Sequence, residues 1–230
     1  AHLSLLTMGT GESQLAVTLG DMEEELENNG IKLAYLPSPG SVRIRLTAEG
    51  EAVEGLERAH EAVLERLSEW VVSKDGLPVE AALGHCLVDQ GQTLAVAESC
   101  TGGALGAALV ARPGASAFFL GGVQAYSNEA KEHLLGVPGA LIAEYGAVSE
   151  PVAVAMAKGA RAKFGADYGV SITGIAGPDG GSENKPVGTV YMACDGPLGV
   201  LCVRHQFGRD RTRNLSMGVR SAAHWALASA

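Results

Sequence analysis

A chain of 230 residues has room for two domains or one large one, and 47% hydrophobic residues with 31 glycines and only 5% aromatics describe an alanine- and valine-rich α/β protein with many tight turns. Glycines, charges and prolines interrupt every apolar run well short of the roughly 20 residues that a membrane span needs, and no stretch reads as a signal peptide, so neither a membrane nor export is expected. The net charge of −9 is concentrated in residues 1–76, where six Lys+Arg stand against 14 Asp+Glu, a balance that excludes the basic face needed to hold nucleic acid.

In chain order, Ser4–Thr7 reads as a strand, Gly11–Ser13 as a turn, and Gln14–Asn28 as a helix with Leu15, Leu19, Met22 and Leu26 at helical spacing. Gly30 ends that helix. Leu33–Leu36 and Val42–Leu46 read as strands flanking Pro37-Ser38-Pro39-Gly40, and alternation in the second implies one wet face. A helix is expected from Glu51 to Trp70, burying Leu56, Ala59, Val63, Leu64 and Leu67, with Val71-Val72 adding a short strand. Such pieces assemble as a small α+β sandwich with helices on one face, its acidic helical surface solvated. Asp75-Gly76-Leu77-Pro78 is a turn signal where the charge balance changes, which divides the chain into domains 1–76 and 77–230.

Beyond that boundary strands and helices alternate. Leu77–Asp89 is expected to be a helix, Thr93–Val96 a buried strand, Ala104–Val110 a helix, and Phe118–Tyr126 a second strand. Glu129–Leu135 is helical, and Ser149-Glu150-Pro151 opens another helix with serine as cap and proline in the first turn. Tyr168–Ile172 is a third core strand that runs into the glycine-rich loop Thr173–Gly181. Gly188–Ala193 and Gly199–Arg204 form an antiparallel pair, and a last helix starts near Asp210. The expected architecture is an α/β layered sheet with helices on both faces and its ligand site at the C-terminal ends of the strands.

The run Ala97-Glu98-Ser99-Cys100-Thr101-Gly102-Gly103 places hydroxyls and glycines between an apolar strand and a helix. Two readings stand side by side: free N–H groups at the helix start hold an anion or a developing oxyanion, or Ser99 or Thr101 simply caps the helix. Two further loops carry matching chemistry, with Tyr126 and Lys131 after the second strand and Thr173 and Gly174 after the third. Serine becomes a nucleophile when a base takes its proton, and a desolvated lysine can be that base. Taken singly, Lys131 reads as a surface lysine and Tyr126 as a packed strand-end aromatic. Jointly they point to catalysis. No metal-ligand cluster or Walker-type loop is present, so neither metal nor cofactor is expected, and His85, His133 and His205 read as structural or surface residues. Cys86, Cys100, Cys194 and Cys202 lack zinc-type spacing and are too few for a disulfide framework, which points to a reduced, cytoplasmic chain.

The Ala97–Gly103 run, Tyr126-Ser127-Asn128-Glu129-Ala130-Lys131, Gly146-Ala147-Val148-Ser149-Glu150 and Thr173–Gly181 together resemble the C-terminal domain of the CinA family, the nicotinamide-mononucleotide amidohydrolase also called PncC. The likeness runs from about Leu77 to the end, while Ala1–Gly76 is similar to the KH-type domain that precedes it in long members, without a Gly-x-x-Gly clamp loop. The molybdopterin-binding-like domain that begins long members is absent, so the sequence is expected to be a piece of a longer protein.

The resemblance implies hydrolysis of the carboxamide of nicotinamide mononucleotide to nicotinic acid mononucleotide and ammonia. Ser99 is then the nucleophile, Lys131 the base and Tyr126 a proton-transfer partner. N–H groups near Thr101–Gly103 hold the oxyanion, and Cys100, Thr101, Gly102, Gly103, Thr173 and Gly174 line the substrate site. An arginine of Phe207-Gly208-Arg209-Asp210-Arg211-Thr212-Arg213 takes the 5′-phosphate, Arg211 ahead of Arg213. A homodimer is expected. The rival readings are a module that binds a pyridine nucleotide without turnover, and a scaffold that holds an oligomer together.

Overall fold

The computed structural model describes residues 1–230, which fall into two units, Ala1–Ala82 and Leu83–Ala230. In the first, β1 (His2–Met8), β2 (Ile31–Ser38), β3 (Ser41–Ala48) and β4 (Val71–Ser73) form one antiparallel sheet in the order β2-β3-β1-β4. The alternation in β3 acts as the pattern requires: Val42, Ile44 and Leu46 are buried while Arg43 and Arg45 are only partly covered. Helices α1 (Glu12–Asn28) and α2 (Leu56–Arg66) supply Leu15, Leu19, Leu26, Leu56 and Val63 to the core against Leu5, Ile31, Ile44 and Leu46. The succession β-α-β-β-α-β is that of a split βαβ unit.

Two local expectations are corrected here. The strand β2 runs through Pro37 and Ser38, and the turn is confined to Pro39-Gly40, because β2 is an edge strand where a missing N–H need not break the ladder. The helix expected over Glu51–Trp70 is instead a 3-10 turn over Gly50–Gly55 followed by α2, since glycine at each end of that segment weakens α-helical propagation.

The second unit is built on a five-stranded sheet ordered β6-β5-β7-β8-β9, with β5 (Leu94–Glu98), β6 (Phe119–Gln124), β7 (Tyr168–Gly174), β8 (Thr189–Gly196) and β9 (Gly199–Gln206). The strands β6, β5 and β7 are parallel, and β8 and β9 continue antiparallel. The compact units meet between Ala82 and Leu83, within α3 (Val79–Gln90). Helix α7 (Glu150–Phe164) covers one face of the sheet, packing Val152, Met156 and Ala160 on Ala95 and Ala97 and placing Ala153 and Ala157 against Ala193. The other face is covered by α4 (Ala104–Val110) and α8 (Arg211–Ser229), which buries Val219, Ala222 and Ala226. Helices α5 (Asn128–Leu135) and α6 (Gly139–Tyr145) complete the α7 layer. The hydrophobic pattern does not announce α6, because 7 residues are too few to show a helical period. Neither unit has a helix long and apolar enough to cross a membrane.

The crossover leaving β5 runs through α4 on one face, whereas the chain leaving β6 enters the α5–α7 layer on the other. A crevice therefore opens at the C-terminal ends of β5 and β6, the switch point at which ligands settle in open α/β sheets.

Small residues let α7 lie close on the sheet. A methyl group on Gly169 of β7 would collide with the Ala157 carbonyl oxygen and lie 2.8 Å from Arg161 Cβ, although its backbone is unstrained. Gly169→Ala should thus destabilise the second unit by about 1–3 kcal/mol through overpacking alone. Gly20 sits in the interior of α1 with open space around its Cβ direction, and Gly20→Ala should stabilise the first unit by roughly 1 kcal/mol. Denaturant unfolding of both variants checks the opposite signs.

Candidate active site

Ser99 follows the last residue of β5, and its N–H donates to the Ile172 carbonyl (3.0 Å), so the serine is still held in the sheet. The chain then turns sharply, closed by the Gly102 N–H on the Ser99 carbonyl (3.1 Å). Across the crevice, Ser127 caps α5 by accepting from the Ala130 N–H, which starts the helix directly after β6 and sends Lys131 back toward β5. Lys131 is 1% exposed. Its Nζ donates to Ser99 Oγ (3.1 Å), to the Ala125 carbonyl (2.9 Å) and to the Tyr126 carbonyl (3.1 Å). No carboxylate pairs with it. Burial pushes the Lys131 amine below the ordinary lysine value of 10.5, opposed only by attraction to the Cys100 sulfur when that is ionised. Burial also raises the neighbouring Cys100 thiol to about 11, which keeps it protonated at neutral pH.

Neither sequence reading of the α4 start holds. Gly103, at φ +101°, is the N-cap, and no serine or threonine side chain caps the helix. The donors are taken by Glu98, a residue to which the sequence reading assigned no role. Its carboxylate accepts from the N–H groups of Gly103 (3.1 Å), Leu105 (3.0 Å) and Gly106 (2.8 Å). Hydrogen bonds to a charged group stabilise by about 1.5–3 kcal/mol each, so this end of the helix is satisfied from within and is closed to a ligand. The backbone donors near Ser99 that meet no carbonyl of the fold are those of Cys100 and Thr101.

A cavity of about 200 Å³ opens above the pair, lined by Ser99, Cys100, Tyr126, Lys131, Ala147, Val148, Thr173, Gly174, Ala176 and Arg211. The expected residues Ser99, Cys100, Tyr126, Lys131, Thr173, Gly174 and Arg211 are therefore brought together. Thr101, Gly102 and Gly103 are not on its wall. Thr101 is buried toward Gly218 of α8, Gly102 takes a left-handed turn position in open space, and Gly103 gives its N–H to Glu98. The expectations for Lys131 and Tyr126 as single residues are reversed: the lysine is buried, and the tyrosine is 68% exposed. Tyr126 holds Lys131 through its carbonyl, and its hydroxyl makes no hydrogen bond to Ser99 or Lys131.

Arg211 reaches the cavity because its Nη1 donates to the Gly177 carbonyl (2.8 Å). Asn214, one turn further along α8 and 2% exposed, ties the Ala176 and Gly208 carbonyls together through Nδ2 (3.0 Å each). Arg213 is exposed, and its N–H is used by the Asp210 cap. Thr173 donates its hydroxyl to the Ala147 carbonyl (2.9 Å), and Gly174 is a glycine because a Cβ there would lie 2.7 Å from Val190 Cγ2. Ser149 stands at the N-cap of α7 but donates its hydroxyl to the Gly146 carbonyl, so it shapes the Ala147-Val148 wall instead of capping. His205 is structural: it accepts from Trp225 Nε1 (3.1 Å) and stacks on Phe207.

The fold and site define an α/β protein with a buried lysine–serine pair and an arginine converging at a switch point. The family model of the CinA C-terminal domain matches residues 77–229, and that of the damage-inducible protein CinA KH domain matches residues 2–73. This chain belongs to the CinA family. A CinA-like protein of Synechococcus sp. (strain CC9902) is 48% identical over 90% of this chain and 49% of its own length, and one of Salinibacter ruber is 43% identical over 96% and 54%. The chain thus spans about half the length of these relatives. Among solved structures, the competence/damage inducible protein CihA of Agrobacterium tumefaciens is 38% identical, with a TM-score of 0.61 over 66% of this chain and 95% of its own. A CinA superfamily protein of Escherichia coli is 35% identical, with a TM-score of 0.64 over 66% and 88%.

The lowered Lys131 pKa has a signed consequence for stability. Below its folded pKa the lysine is charged in both states and the burial penalty is fully present; between that pKa and 10.5 the unfolded chain holds the extra proton, so stability rises with pH. The unfolding free energy of the wild type relative to Lys131→Met should therefore improve as pH is raised toward 10.5. Denaturant titrations of both proteins at stepped pH check the slope.

Proposed function

We propose that this chain is an amidohydrolase that removes ammonia from the carboxamide of nicotinamide mononucleotide, leaving nicotinic acid mononucleotide. The observation that carries the reaction class is the buried Lys131 amine, 3.1 Å from Ser99 Oγ and without a carboxylate partner. The choice of nucleotide rests on the likeness to the CinA C-terminal domain and on Arg211 at the cavity wall.

In this reading neutral Lys131 accepts the Ser99 proton as Oγ attacks the amide carbon. The resulting ammonium is held by the Ala125 and Tyr126 carbonyls. The N–H of Cys100, a residue on the cavity wall, takes the place earlier expected of Thr101–Gly103 and receives the oxyanion. Lys131 then returns the proton to the departing nitrogen, and water releases the acid from Ser99. A thiol held at about 11 leaves Cys100 a poor rival nucleophile. Arg211 binds the phosphate, for which a guanidinium is suited by charge and fork geometry. Tyr126 contributes its carbonyl and a wall of the cavity, and the proton path described runs without its hydroxyl.

Ser99→Ala should lower ammonia release by at least about 1,000-fold while the fold is retained. Lys131→Arg should be nearly inactive, because a guanidinium keeps its proton throughout the working range. Arg211→Ala should raise KM for the mononucleotide by roughly 10- to 100-fold, the loss of one charged contact, with a smaller effect on kcat. A coupled ammonia assay reads all three; substantial turnover by Ser99→Ala would refute the assignment, and substrate binding without turnover in the wild type would favour the binding-module reading.

The site is lined wholly by residues from Ser99 onward, and solved relatives are 88–95% covered by two thirds of this chain. A truncated chain starting at Leu77 should accordingly keep its activity per folded molecule, as circular dichroism and the same assay measure.

A further inference from the structure

Glu98 is buried to 2% exposure beside the nucleophile, and the reaction described above gives it no task. Its backbone and its side chain hold different parts of the site. Its carbonyl accepts from the Ala125 N–H (2.7 Å), next to the carbonyl that holds Lys131. Its carboxylate reaches forward over the Ser99 turn to the N–H groups of Gly103, Leu105 and Gly106. The segment Glu98–Gly103 is consequently a ring, opened at Glu98 and closed by the carboxylate of the same residue. Ser99, with its Oγ, and the Cys100 N–H, which meets no carbonyl of the fold, both belong to that ring.

The geometry points to Glu98 as a positioning residue that sets the nucleophile and the Cys100 oxyanion donor together, by clamping the turn that carries both. This inference rests on the reading of Ser99 as nucleophile. A carboxylate suits the task because it only accepts, and three N–H groups aim at its two oxygens. Glutamine would present one oxygen and one NH₂, turning a donor toward a donor. Aspartate keeps the charge but is one methylene shorter, so its oxygens cannot span from Gly103 to Gly106 without drawing the turn inward. Because the clamp touches neither Arg211 nor the cavity wall away from Ser99, its loss falls on the chemical step and not on substrate affinity.

The test compares wild type, Glu98→Gln and Glu98→Asp by steady-state ammonia release and by the rate at which a fluorophosphonate probe phosphonylates Ser99 with loss of fluoride, with melting followed by circular dichroism. The probe needs no knowledge of the natural substrate. Glu98→Gln is expected to lose about 10-fold or more in both kcat and labelling rate, with KM for nicotinamide mononucleotide nearly unchanged, and Glu98→Asp to fall between it and the wild type. A folded Glu98→Gln protein with wild-type labelling overturns the inference while leaving Ser99 as nucleophile. If the wild type labels at Ser99 but releases no ammonia, a slower label in Glu98→Gln still supports the clamp and removes only the proposed substrate. Absence of labelling in the wild type overturns both. Should Glu98→Gln not fold, the folded Glu98→Asp protein decides by the same rates, and failure of both to fold overturns a role specific to the turn.

Discussion

The second unit is organised around an amine that has been taken out of water. Lys131 lies within the sheet's switch-point crevice with carbonyl oxygens and a serine hydroxyl around it and no counter-charge. An ammonium in that setting keeps hydrogen-bond partners but loses most of its hydration, which lowers the lysine pKa. The surrounding architecture serves that placement. The end of β6 supplies two carbonyls, the Ser127 cap starts α5 at once so that Lys131 points back, and the ladder bond from Ser99 to Ile172 keeps the hydroxyl at the strand end. Burying an unpaired amine carries a stability cost at the site.

The backbone is used with equal economy. The positive end of α4 is commonly where an α/β fold would receive an anion, yet here Glu98 occupies it. The groups left facing the cavity are others: the Cys100 N–H, which meets no carbonyl of the fold, and the Arg211 guanidinium from the start of α8. Arg211 depends in turn on the junction at which Asn214 joins the carbonyls of Ala176 and Gly208. A serine, a lysine and an arginine far apart in the chain thus meet through three loops at one edge of a parallel sheet, as the topology of β6, β5 and β7 dictates.

Much of this was legible without coordinates. The helix α4 and the strand β7 lie where apolar runs and glycines place them, since a buried strand and a closely packed helix each leave a local signature. Elements without such a signature escaped: α6 is too short for a period, and the Glu51–Trp70 pattern could not show that glycines would tighten its first turns. At the site the chemically suggestive residues were found, but their environments were not. Taken singly, Lys131 looked like a surface lysine and Tyr126 like a packed strand-end aromatic, and the structure buries the first and exposes the second, because burial is decided by which way α5 faces after the Ser127 cap. Glu98 was visible in its motif, without a role. Only the path of the following turn showed that its carboxylate returns to Gly103, Leu105 and Gly106.

By itself, then, the sequence determined the alternation of strands and helices, the acidic first region and the set of polar side chains offered by the loops after the strands, because composition, periodicity and residue type are local properties. The tertiary structure alone decided which donors are spent and which are free, which arginine faces the cavity, and that the amine lies 3.1 Å from the hydroxyl. Those outcomes depend on strand order and on hydrogen bonds between segments distant in the chain. No local pattern encodes a distance between Ser99 and Lys131; the parallel pairing of β5 with β6 sets it.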